Sequence, residues 1–578
     1  MVARFNGAVV TLGWLRLLAG SLILTFIWLE LRYGLLPRLW TVPLLALVGL
    51  VGYHGTVRHL RERAIRSVGF YQKAFGRLEG RWADTTDHYL PNDPVSHANS
   101  HDLDIFGPHS LFDFISIART DVGRRVLAAW FSAPANPVEI LRRQQAVDEL
   151  RNNIDLREDL AVLGEAMEET IRSDHLQNWC SASTKLNAKS ARIVGPILVL
   201  VTQASIAGWL LQITSLWLAI LAVSVQIGFA IIYRSRVRAL TSTSDQAIKH
   251  LQSLGVVLAR IERIEFKSHK LLDLRRALRT DDDYASTQIV WLALLLERMN
   301  SRRNVFFAPI GMLLLWTTQI AFGIESWRRR YGASVDSWLN TVGELEALSS
   351  LAGYAYENPC DVFPEIEEGG PWFEAERLRH PLIAHQKAIP NDVFMNRDLQ
   401  LLVVTGSNMS GKSTLLRTVG VNTVLAMAGA PVRATRMRLS VLSVGTSIKI
   451  MDSLQSGTSR FYAELQKIRD IIRLTKLPIP VLFLIDEIFQ GTNSHDRLAG
   501  AEIIVRHMLG KEAIGIVTTH DLSLTEIVDR DWCKTAANFY FQDDLIDGHL
   551  SFDYCLRPGI VQKSNALELM RMIGVIFR

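Results

Sequence analysis

The chain has 578 residues, which is enough for three or four domains of ordinary size. Hydrophobic residues make up 48% of it and charged residues 21%, which excludes a typical soluble enzyme and a transporter lying wholly in lipid, and favours a chain that is partly membrane-bound. The 63 basic residues exceed the 58 acidic ones by too little to select a partner, and four scattered cysteines without a CxxC pair predict neither a disulfide framework nor a zinc site.

Two apolar stretches near the N-terminus, 17–29 and 39–57, predict a membrane hairpin over residues 1–58. A cleaved signal peptide is the alternative for the first stretch, but no small-residue cleavage site precedes the second one. Four arginines between positions 58 and 66 place the end of this hairpin in the cytoplasm by the positive-inside rule. Residues 59–100 are then expected to be a juxtamembrane linker.

A second membrane hairpin is predicted over 193–233, which contains no Asp, Glu, Lys or Arg and is interrupted near 212–215. Basic residues on both sides place both ends in the cytoplasm. A buried soluble helix pair is the alternative, although soluble helices of this length usually keep a polar face. The apolar stretch 305–324 is predicted to be a buried helix, because a fifth span would put the C-terminal part outside the cell.

Helical spacing of apolar residues predicts charged, solvent-exposed helices over 134–152 and 246–278. From position 399 the pattern changes to short β-rich runs at 399–405, 481–485 and 514–518, separated by helical stretches. Strands that alternate with helices predict a mainly parallel, doubly wound sheet.

The sharpest motif follows the first of these strands and matches GxxxxGK[ST]. Its glycines allow backbone N–H groups to close around phosphates at the start of the next helix. Lys412 is expected to reach the β- and γ-phosphate oxygens and Ser413 to offer its hydroxyl to Mg²⁺. A chance glycine-rich turn is the alternative, which the flanking strand and helix disfavour. The predicted nucleotide-binding residues of this loop are Gly406, Ser407, Asn408, Met409, Ser410, Gly411, Lys412, Ser413 and Thr414.

Three polar residues end the next two predicted strands. Asp486 is expected to hold Mg²⁺, directly or through water, and Glu487 to polarise the water that attacks the γ-phosphate. His520, in Thr-Thr-His-Asp, is interpreted as a γ-phosphate sensor. The alternatives are solvated acids at a strand end and a structural histidine. The predicted catalytic set is therefore Lys412, Glu487 and His520.

Together these segments resemble the ATPase domain of the MutS mismatch-repair family. Residues 405–414 resemble its phosphate loop, TGPNMGGKST, and 486–496 resemble its acidic motif, DEIGRGTSTYD. Between them, 452–464 are similar to the segment that ends STFMxE, and 554–566 resemble the closing PG…S strand, turn and helix. The resemblance implies ATP and Mg²⁺ as ligands. It also implies that Ser459 reaches the nucleotide of the opposite subunit, and hence a homodimer.

A weaker likeness to the MutS core continues upstream. Thr120, Gly123 and 143–150 resemble its start, and 379–382 resemble its return into the ATPase domain. Residues 101–380 are therefore predicted to be a helical core and lever region, with the 193–233 hairpin where a DNA-gripping lever and clamp would extend.

Two motifs of the family are missing from the chain. Phe70-Tyr71-Gln72 lacks the glutamate of the Phe-x-Glu mismatch-reading motif, and Ala388-Ile389 occupies the place of an adenine-stacking aromatic. The resemblance therefore implies a variant that lacks the mismatch-recognition domain.

The sequence thus predicts a multidomain chain: α-helical membrane hairpins, an α-helical core and lever region, and a C-terminal α/β P-loop domain of ABC type over 381–578. The expected location is the cell (inner) membrane, with several spans and a cytoplasmic ATPase domain. Two functions remain open. One is an ATP-dependent DNA-binding protein related to mismatch repair, with duplex DNA as partner. The other is an ABC-like mechanochemical membrane ATPase that acts on a protein or membrane partner. A transporter is a third, less favoured interpretation, because two hairpins offer few polar groups to line a path.

Overall fold

A computed structural model describes residues 2–34, 38–82, 99–168, 179–180, 189–240, 245–280, 282–300, 307–449, 460–490, 494–546 and 549–561. Within these ranges the helices, numbered along the chain, are α1 Val2–Tyr33, α2 Thr41–Leu78, α3 Asn99–Asp102, α4 Leu111–Ile115, α5 Asp121–Ser132, α6 Pro137–Arg151, α7 Ile154–Glu168, α8 Lys189–Leu210, α9 Leu216–Leu240, α10 Asp245–Glu262, α11 His269–Ala277, α12 Ala285–Asn300, α13 Ala308–Leu313, α14 Trp316–Tyr331, α15 Ser334–Glu357, α16 Lys412–Ala428, α17 Arg460–Leu474 and α18 Ser494–Leu509. A 3₁₀ helix spans Leu522–Asp529.

The strands are β1 Arg279–Thr280, β2 Asp283–Tyr284, β3 Glu365–Glu367, β4 Phe373–Leu378, β5 Asn391–Met395, β6 Leu401–Thr405, β7 Arg436–Ser440, β8 Ser443–Ser447, β9 Val481–Ile485, β10 Ile514–Thr519, β11 Ala536–Ile546 and β12 His549–Pro558.

The two N-terminal helices form a hairpin whose second arm reaches far beyond its apolar part. α1 packs against α2, and α2 continues as one helix through the four arginines. Its distal half is joined to the helical region by ion pairs, among them Arg63 with Asp159 at 2.6 Å and Arg77 with Glu357 at 2.6 Å. The latter pair is almost buried, so loss of either partner would leave an uncompensated charge between α2 and α15.

Three helices in the described ranges are long and apolar enough to cross a membrane: Arg4–Tyr33, Arg192–Leu210 and Leu216–Ser235. The last two are the arms of the predicted second hairpin, α8 and α9, and large side chains such as Leu200 and Trp217 lie exposed on them. The apolar half of α2 is not among the three. A membrane location remains a prediction, since length and composition alone support it.

The stretch 305–324 is not the single buried helix that was expected. Its described part consists of α13 and the first half of α14, separated by a break at Leu315, which has a left-handed φ of 48°. Ala321 and Phe322 are buried against Val237 of α9, so α14 packs as predicted, whereas Ile310 and Met312 of α13 are exposed.

The helical region is built around α15, the longest buried helix. α4, α5, α6, α7 and α11 pack against it, and Trp338 in its first turns is fully buried. Thr120 caps α5 by accepting a hydrogen bond from the N–H of Gly123, and the same threonine donates to the buried carboxylate of Glu346. The helix predicted over 134–152 corresponds to α6, which buries one face. The helix predicted over 246–278 is divided in the structure into α10 and α11.

The C-terminal region contains two sheets. The larger has the order β12-β11-β6-β10-β9-β8, in which every pairing is parallel except that of β11 with β12. Alternate residues of β6 face different cores: Leu402 and Val404 belong to one that includes α16, and Leu401 and Val403 to one that includes α18. Burial on both faces explains the continuous apolar runs and confirms an α/β domain with a mainly parallel sheet.

The smaller sheet has the order β3-β7-β4-β5. β4 pairs with β5 and with β7, so the sheet joins strands from both sides of the predicted boundary at 380/381. β3, which begins at Glu365, also belongs to this sheet through its pairing with β7. Backbone hydrogen bonding between distant strands forms this sheet, and the local composition of the chain does not reveal it.

Candidate nucleotide site

The glycine-rich loop leaves the centre of the large sheet. β6 lies between β10 and β11 and all five of its residues are buried. The chain then turns through Gly406 and Gly411, with φ values of 156° and 108°, and α16 begins at Lys412. A side chain at Gly411 would meet the ring of Tyr554, with a Cβ to Cδ1 distance of 3.1 Å. Glycine is thus required there both for its backbone angle and for space.

Lys412 is folded back over this loop. It is 5% exposed, and its Nζ donates hydrogen bonds of 2.8 Å to the carbonyl oxygens of Gly406 and Ser407. Burial lowers the pKa of the Lys412 ammonium, while Glu487 and Asp486 oppose that shift. The charge therefore lies inside the loop and at the start of a helix, while contact of Lys412 with the β- and γ-phosphates stays a prediction.

The loop also fits the phosphate groups that the motif implies. The hydroxyl oxygens of Ser407 and Ser410 are buried and accept or donate no hydrogen bond among the described residues. The amides that begin α16 are free of intrahelical partners by helix geometry. A phosphate chain presents the acceptor oxygens that such amides and hydroxyls need, and it would also face the positive end of the helix dipole.

The metal residues predicted from two motifs are in direct contact. Ser413 Oγ donates to Asp486 Oδ2 at 2.5 Å, and Thr518 Oγ1 donates to the other oxygen of the same carboxylate. Among the described residues no group of three or more His, Cys, Asp or Glu side chains could hold a metal. The donor set of one hydroxyl and one carboxylate suits Mg²⁺, which takes few protein ligands and completes its shell with phosphate oxygens and water.

Glu487 has a left-handed backbone conformation, with φ 51°. Its N–H is held by the backbone oxygen of Thr518 at 3.1 Å and by the Thr518 hydroxyl at 3.2 Å, which offsets the strain of that conformation. The side chain lines the cavity next to Lys412. His520 Nδ1 lies 3.6 Å from Glu487 Oε1, but His520 does not line the cavity, so its role as a sensor remains a prediction.

A cavity of about 470 Å³ opens beside the loop. The predicted residues that line it are Asn408, Met409, Gly411, Lys412, Ser413, Thr414 and Glu487. Ala388 and Ile389, at the place where the family pattern has an aromatic, line it as well.

Tyr554 and His380 are among the cavity-lining residues that the sequence analysis did not predict. Tyr554, from β12, lies against Gly411, and its backbone oxygen accepts a 3.0 Å hydrogen bond from the Asn391 side chain. The Nδ1 of His380 accepts from the Leu382 N–H at 3.2 Å, and burial lowers the pKa of His380 to about 4. Tyr554 lies within residues 554–566, which resemble the closing segment of the family. An aromatic residue in that segment is the sequence signal that could have identified it.

Asp102 connects this site to the helical region. Its fully buried carboxylate accepts hydrogen bonds from Thr446 Oγ1 at 3.0 Å, from the N–H groups of Ile448 and Lys449, and from Lys467 Nζ at 2.6 Å. Its backbone oxygen accepts from Arg417 of α16. Ser459, predicted to act on the opposite subunit, lies outside the described residues.

Comparison with known proteins agrees with this geometry. The family profile of MutS domain V matches residues 402–576. The chain is 32% identical over 254 residues to "DNA mismatch repair protein MutS 2" of Halobacterium salinarum, covering 43% of this chain and 29% of that protein. It is 32% identical over 242 residues to "DNA mismatch repair protein MutS" of Aquifex pyrophilus, covering 40% and 27%.

A third relative, "DNA mismatch repair protein MutS 1" of Haloarcula marismortui, is 31% identical over 248 residues, covering 41% of this chain and 26% of that protein. The chain therefore spans less than a third of the length of each of these relatives. The phosphate loop and the adjoining hydroxyl and carboxylate pair agree with the match to domain V, a P-loop ATPase. That match identifies the C-terminal region of the chain as MutS-like and ATP-binding.

Proposed function

We propose that this chain is a membrane-anchored ATPase that converts ATP to ADP and phosphate, using Mg²⁺, on the cytoplasmic side of the membrane. The contact between Ser413 Oγ and Asp486 Oδ2 carries the proposal. It joins the end of the phosphate loop to the end of β9, so the two protein oxygens that Mg²⁺ needs are already side by side. When bound, the metal would neutralise charge on the phosphate oxygens.

The other groups supply positioning and base catalysis. Lys412, buried within the loop, offers a positive charge to the β- and γ-phosphates. Glu487 holds the attacking water and takes its proton, and His520 beside it orients the same carboxylate or senses the γ-phosphate. Tyr554, on the rim of the cavity, provides an aromatic ring for the adenine base.

The proposal includes a homodimer, in which Ser459 from a second copy of the chain completes each site. It rests on the resemblance of residues 452–464 to the MutS segment. Glu464 marks where that segment joins the described site: it is 1% exposed and accepts a 2.5 Å hydrogen bond from the N–H of Phe489, next to the acidic pair.

The base assignment is tested with Glu487→Gln, which should keep ATP binding but lower turnover by roughly 10²–10⁴-fold, the usual contribution of a positioned base. Glu512→Gln is a matched control, because Glu512 is also a glutamate with left-handed φ, 55° against 51°, and lies at the far end of β10. Turnover by the Glu487→Gln protein at the unmodified rate would contradict the assignment.

The target of the ATP cycle has two candidates. Duplex DNA is the first, because the relatives carry the name of DNA mismatch repair proteins. A membrane or protein partner is the second, and the exposed apolar faces of α8 and α9 favour it, since such faces do not suit a DNA groove.

The two candidates differ in their response to DNA. The purified dimer in detergent is assayed for ATP turnover without DNA, with homoduplex DNA and with mismatched DNA, across a salt series. A DNA-binding protein should respond at low salt and lose the response as salt rises, because phosphate contacts release counterions. No binding and no change in turnover at low salt would eliminate DNA and leave the membrane candidate.

A further inference from the structure

A second cavity, of about 870 Å³, lies far along the chain from the nucleotide site, between α9 and the broken helix pair α13 and α14. Its volume falls in the range of about 300–1,000 Å³ that is usual for small-molecule sites. It shares no lining residue with the nucleotide cavity. Its lining is mostly apolar, with Val223, Ile227 and Ile231 of α9 on one side and Met312 and Leu313 of α13 on the other, and Thr317 and Thr318 line it as well.

One polar side chain holds this cavity open. Gln226, which is 3% exposed, donates from its Nε2 to the carbonyl oxygens of Met312 at 3.0 Å and Leu313 at 2.8 Å. These carbonyls lie at the end of α13, where the helix stops before the left-handed Leu315. Carbonyls at such a break need a donor when water is scarce, so Gln226 fixes α13 to α9 and keeps the groove between them formed.

The cavity is mostly apolar, and the one basic side chain among its described lining residues, Arg234, lies near one end of its α9 face, one turn before Val237. Val223, Ile227 and Ile231 form a stripe on α9, and Arg234, which is exposed, lines the cavity beyond them. Val223 and Arg234 are separated by ~16 Å along the helix axis. A ligand that matches this lining has a long hydrocarbon part and an anionic head, and basic pockets beside membrane helices bind such lipid headgroups on the cytoplasmic side.

We propose that this cavity binds an anionic phospholipid, with an acyl chain along α9 and the phosphate at Arg234. The proposal rests on the membrane location given under the proposed function. A second copy of the hairpin is a poorer occupant, because residues 175–244 contain no Asp or Glu that could neutralise Arg234. The bound lipid would fasten α13 and α14 to the hairpin at the membrane surface.

The test uses the full chain in lipid nanodiscs and two probes that carry the same photoreactive acyl chain, one a phosphatidylglycerol and one a phosphatidylcholine. After illumination, mass spectrometry maps the labelled peptides. Labelling by phosphatidylglycerol should concentrate in 223–231 and 309–316 and exceed labelling by phosphatidylcholine. Arg234→Gln should lower phosphatidylglycerol labelling about fivefold, the effect of one basic side chain at an anionic lipid surface, and lower phosphatidylcholine labelling less, because the choline ammonium already compensates that phosphate.

A cavity-filling change gives a second readout. Ala230→Trp should remove labelling by both probes, while Leu221→Trp should not, because Leu221 is 62% exposed on the same helix and does not line the cavity. Turnover of ATP by both variants checks that they are folded. The lipid assignment would be overturned if the two probes labelled the cavity equally and Arg234→Gln changed neither labelling. It would also be overturned by crosslinks between two chains through residues 223–231.

Co-flotation of the protein with liposomes separates this inference from the proposed function. A protein that does not float contradicts both the membrane anchor and the lipid site. A protein that floats but shows no headgroup preference in the cavity contradicts the lipid site alone.

Discussion

Lys467 Nζ lies 2.6 Å from Asp102 Oδ1 and also donates to the backbone oxygen of Lys449, so one ammonium group joins α17, the end of β8 and the short helix α3. Asp102 has no exposed surface, whereas the Lys467 side chain is 21% exposed. The charge of the carboxylate is therefore balanced by one lysine and by neutral donors from residues that flank 450–459.

Asp102→Asn should destabilise the protein by ~2–4 kcal/mol, because it removes the charge and turns an NH₂ group toward donors that need an acceptor. The apparent melting temperature should fall, and ATP turnover should fall with it. Asp104→Asn is the matched control: its 2.7 Å ion pair with Lys449 is about 40% exposed on each side, so the expected effect is within ~1 kcal/mol. Equal shifts for the two variants would show that the Asp102 network is not structurally important.

Tyr554→Ala should weaken ATP binding, since the ring lines the cavity beside Gly411. Stacking of a base on an aromatic side chain is worth ~1–3 kcal/mol, or about 5–150-fold in Kd. Tyr554→Phe keeps the ring and should bind ATP within about threefold of the unmodified chain. Titration of a fluorescent ATP analogue measures both. If inorganic triphosphate loses affinity as much as ATP does, the ring acts on the loop and not on the base.

Ser413→Ala should weaken binding of ATP with Mg²⁺ and leave metal-free ATP unaffected. The change removes a hydroxyl that contacts Asp486 and is placed to bind the metal. Loss of one hydrogen bond to a charged group, ~1.5–3 kcal/mol, predicts a weakening of about 10–150-fold. Calorimetry with and without Mg²⁺ distinguishes the metal role from a general defect, which would weaken binding equally in both conditions.

Glu346→Gln should change the pH dependence of stability. Burial raises the pKa of Glu346 to about 7 from 4.5, against the lowering effect of hydrogen bonds from Thr120. The folded state therefore holds this proton more tightly than the unfolded state. The stabilisation that the bound proton gives is complete below pH 4.5 and is lost as pH rises through 7. Over this range the free energy of unfolding changes by ~3 kcal/mol.

At pH 8 the glutamine variant should accordingly melt at a higher temperature than the unmodified chain, with the difference vanishing near pH 4.5. His380 has the opposite dependence, because its pKa is lowered to about 4 from 6.5 and its contribution is lost as pH falls through that range. Both proteins contain His380, so the difference between their melting temperatures at each pH removes its contribution. A difference that does not vary with pH would contradict the raised pKa of Glu346.

The phosphate loop and the two acidic or polar strand ends could be predicted from the sequence because their signals are local. The phosphate loop and the strands at 481–485 and 514–518 each carry their own pattern, and parallel strands bring their carboxyl ends to one edge of a sheet. Ser413 and Asp486 could thus be assigned to one metal although 73 positions separate them.

The remaining features depend on pairings that no local pattern records. Tyr554 reaches the loop from a strand that runs antiparallel at the sheet edge, and Asp102 meets its partners across more than 340 positions. Leu315 breaks the apolar run inside a series of leucines, four residues after the last glycine before it, Gly311. The pairing of β4 with β5 and β7 across the predicted boundary at 380/381 is likewise a contact between distant segments that no local pattern records.

The helix that begins at Lys412 runs for 17 residues and ends at Gly429, which lies against Arg143 and the backbone of Ile140 in α6. It is a rod of ~25 Å with the phosphate loop at one tip and the helical region at the other. A small tilt at the phosphate tip is therefore carried to α6 as rotation of a stiff body, without any intervening segment that must first become ordered. When the bound nucleotide is exchanged, α6 should accordingly change its position as quickly as the loop itself rearranges.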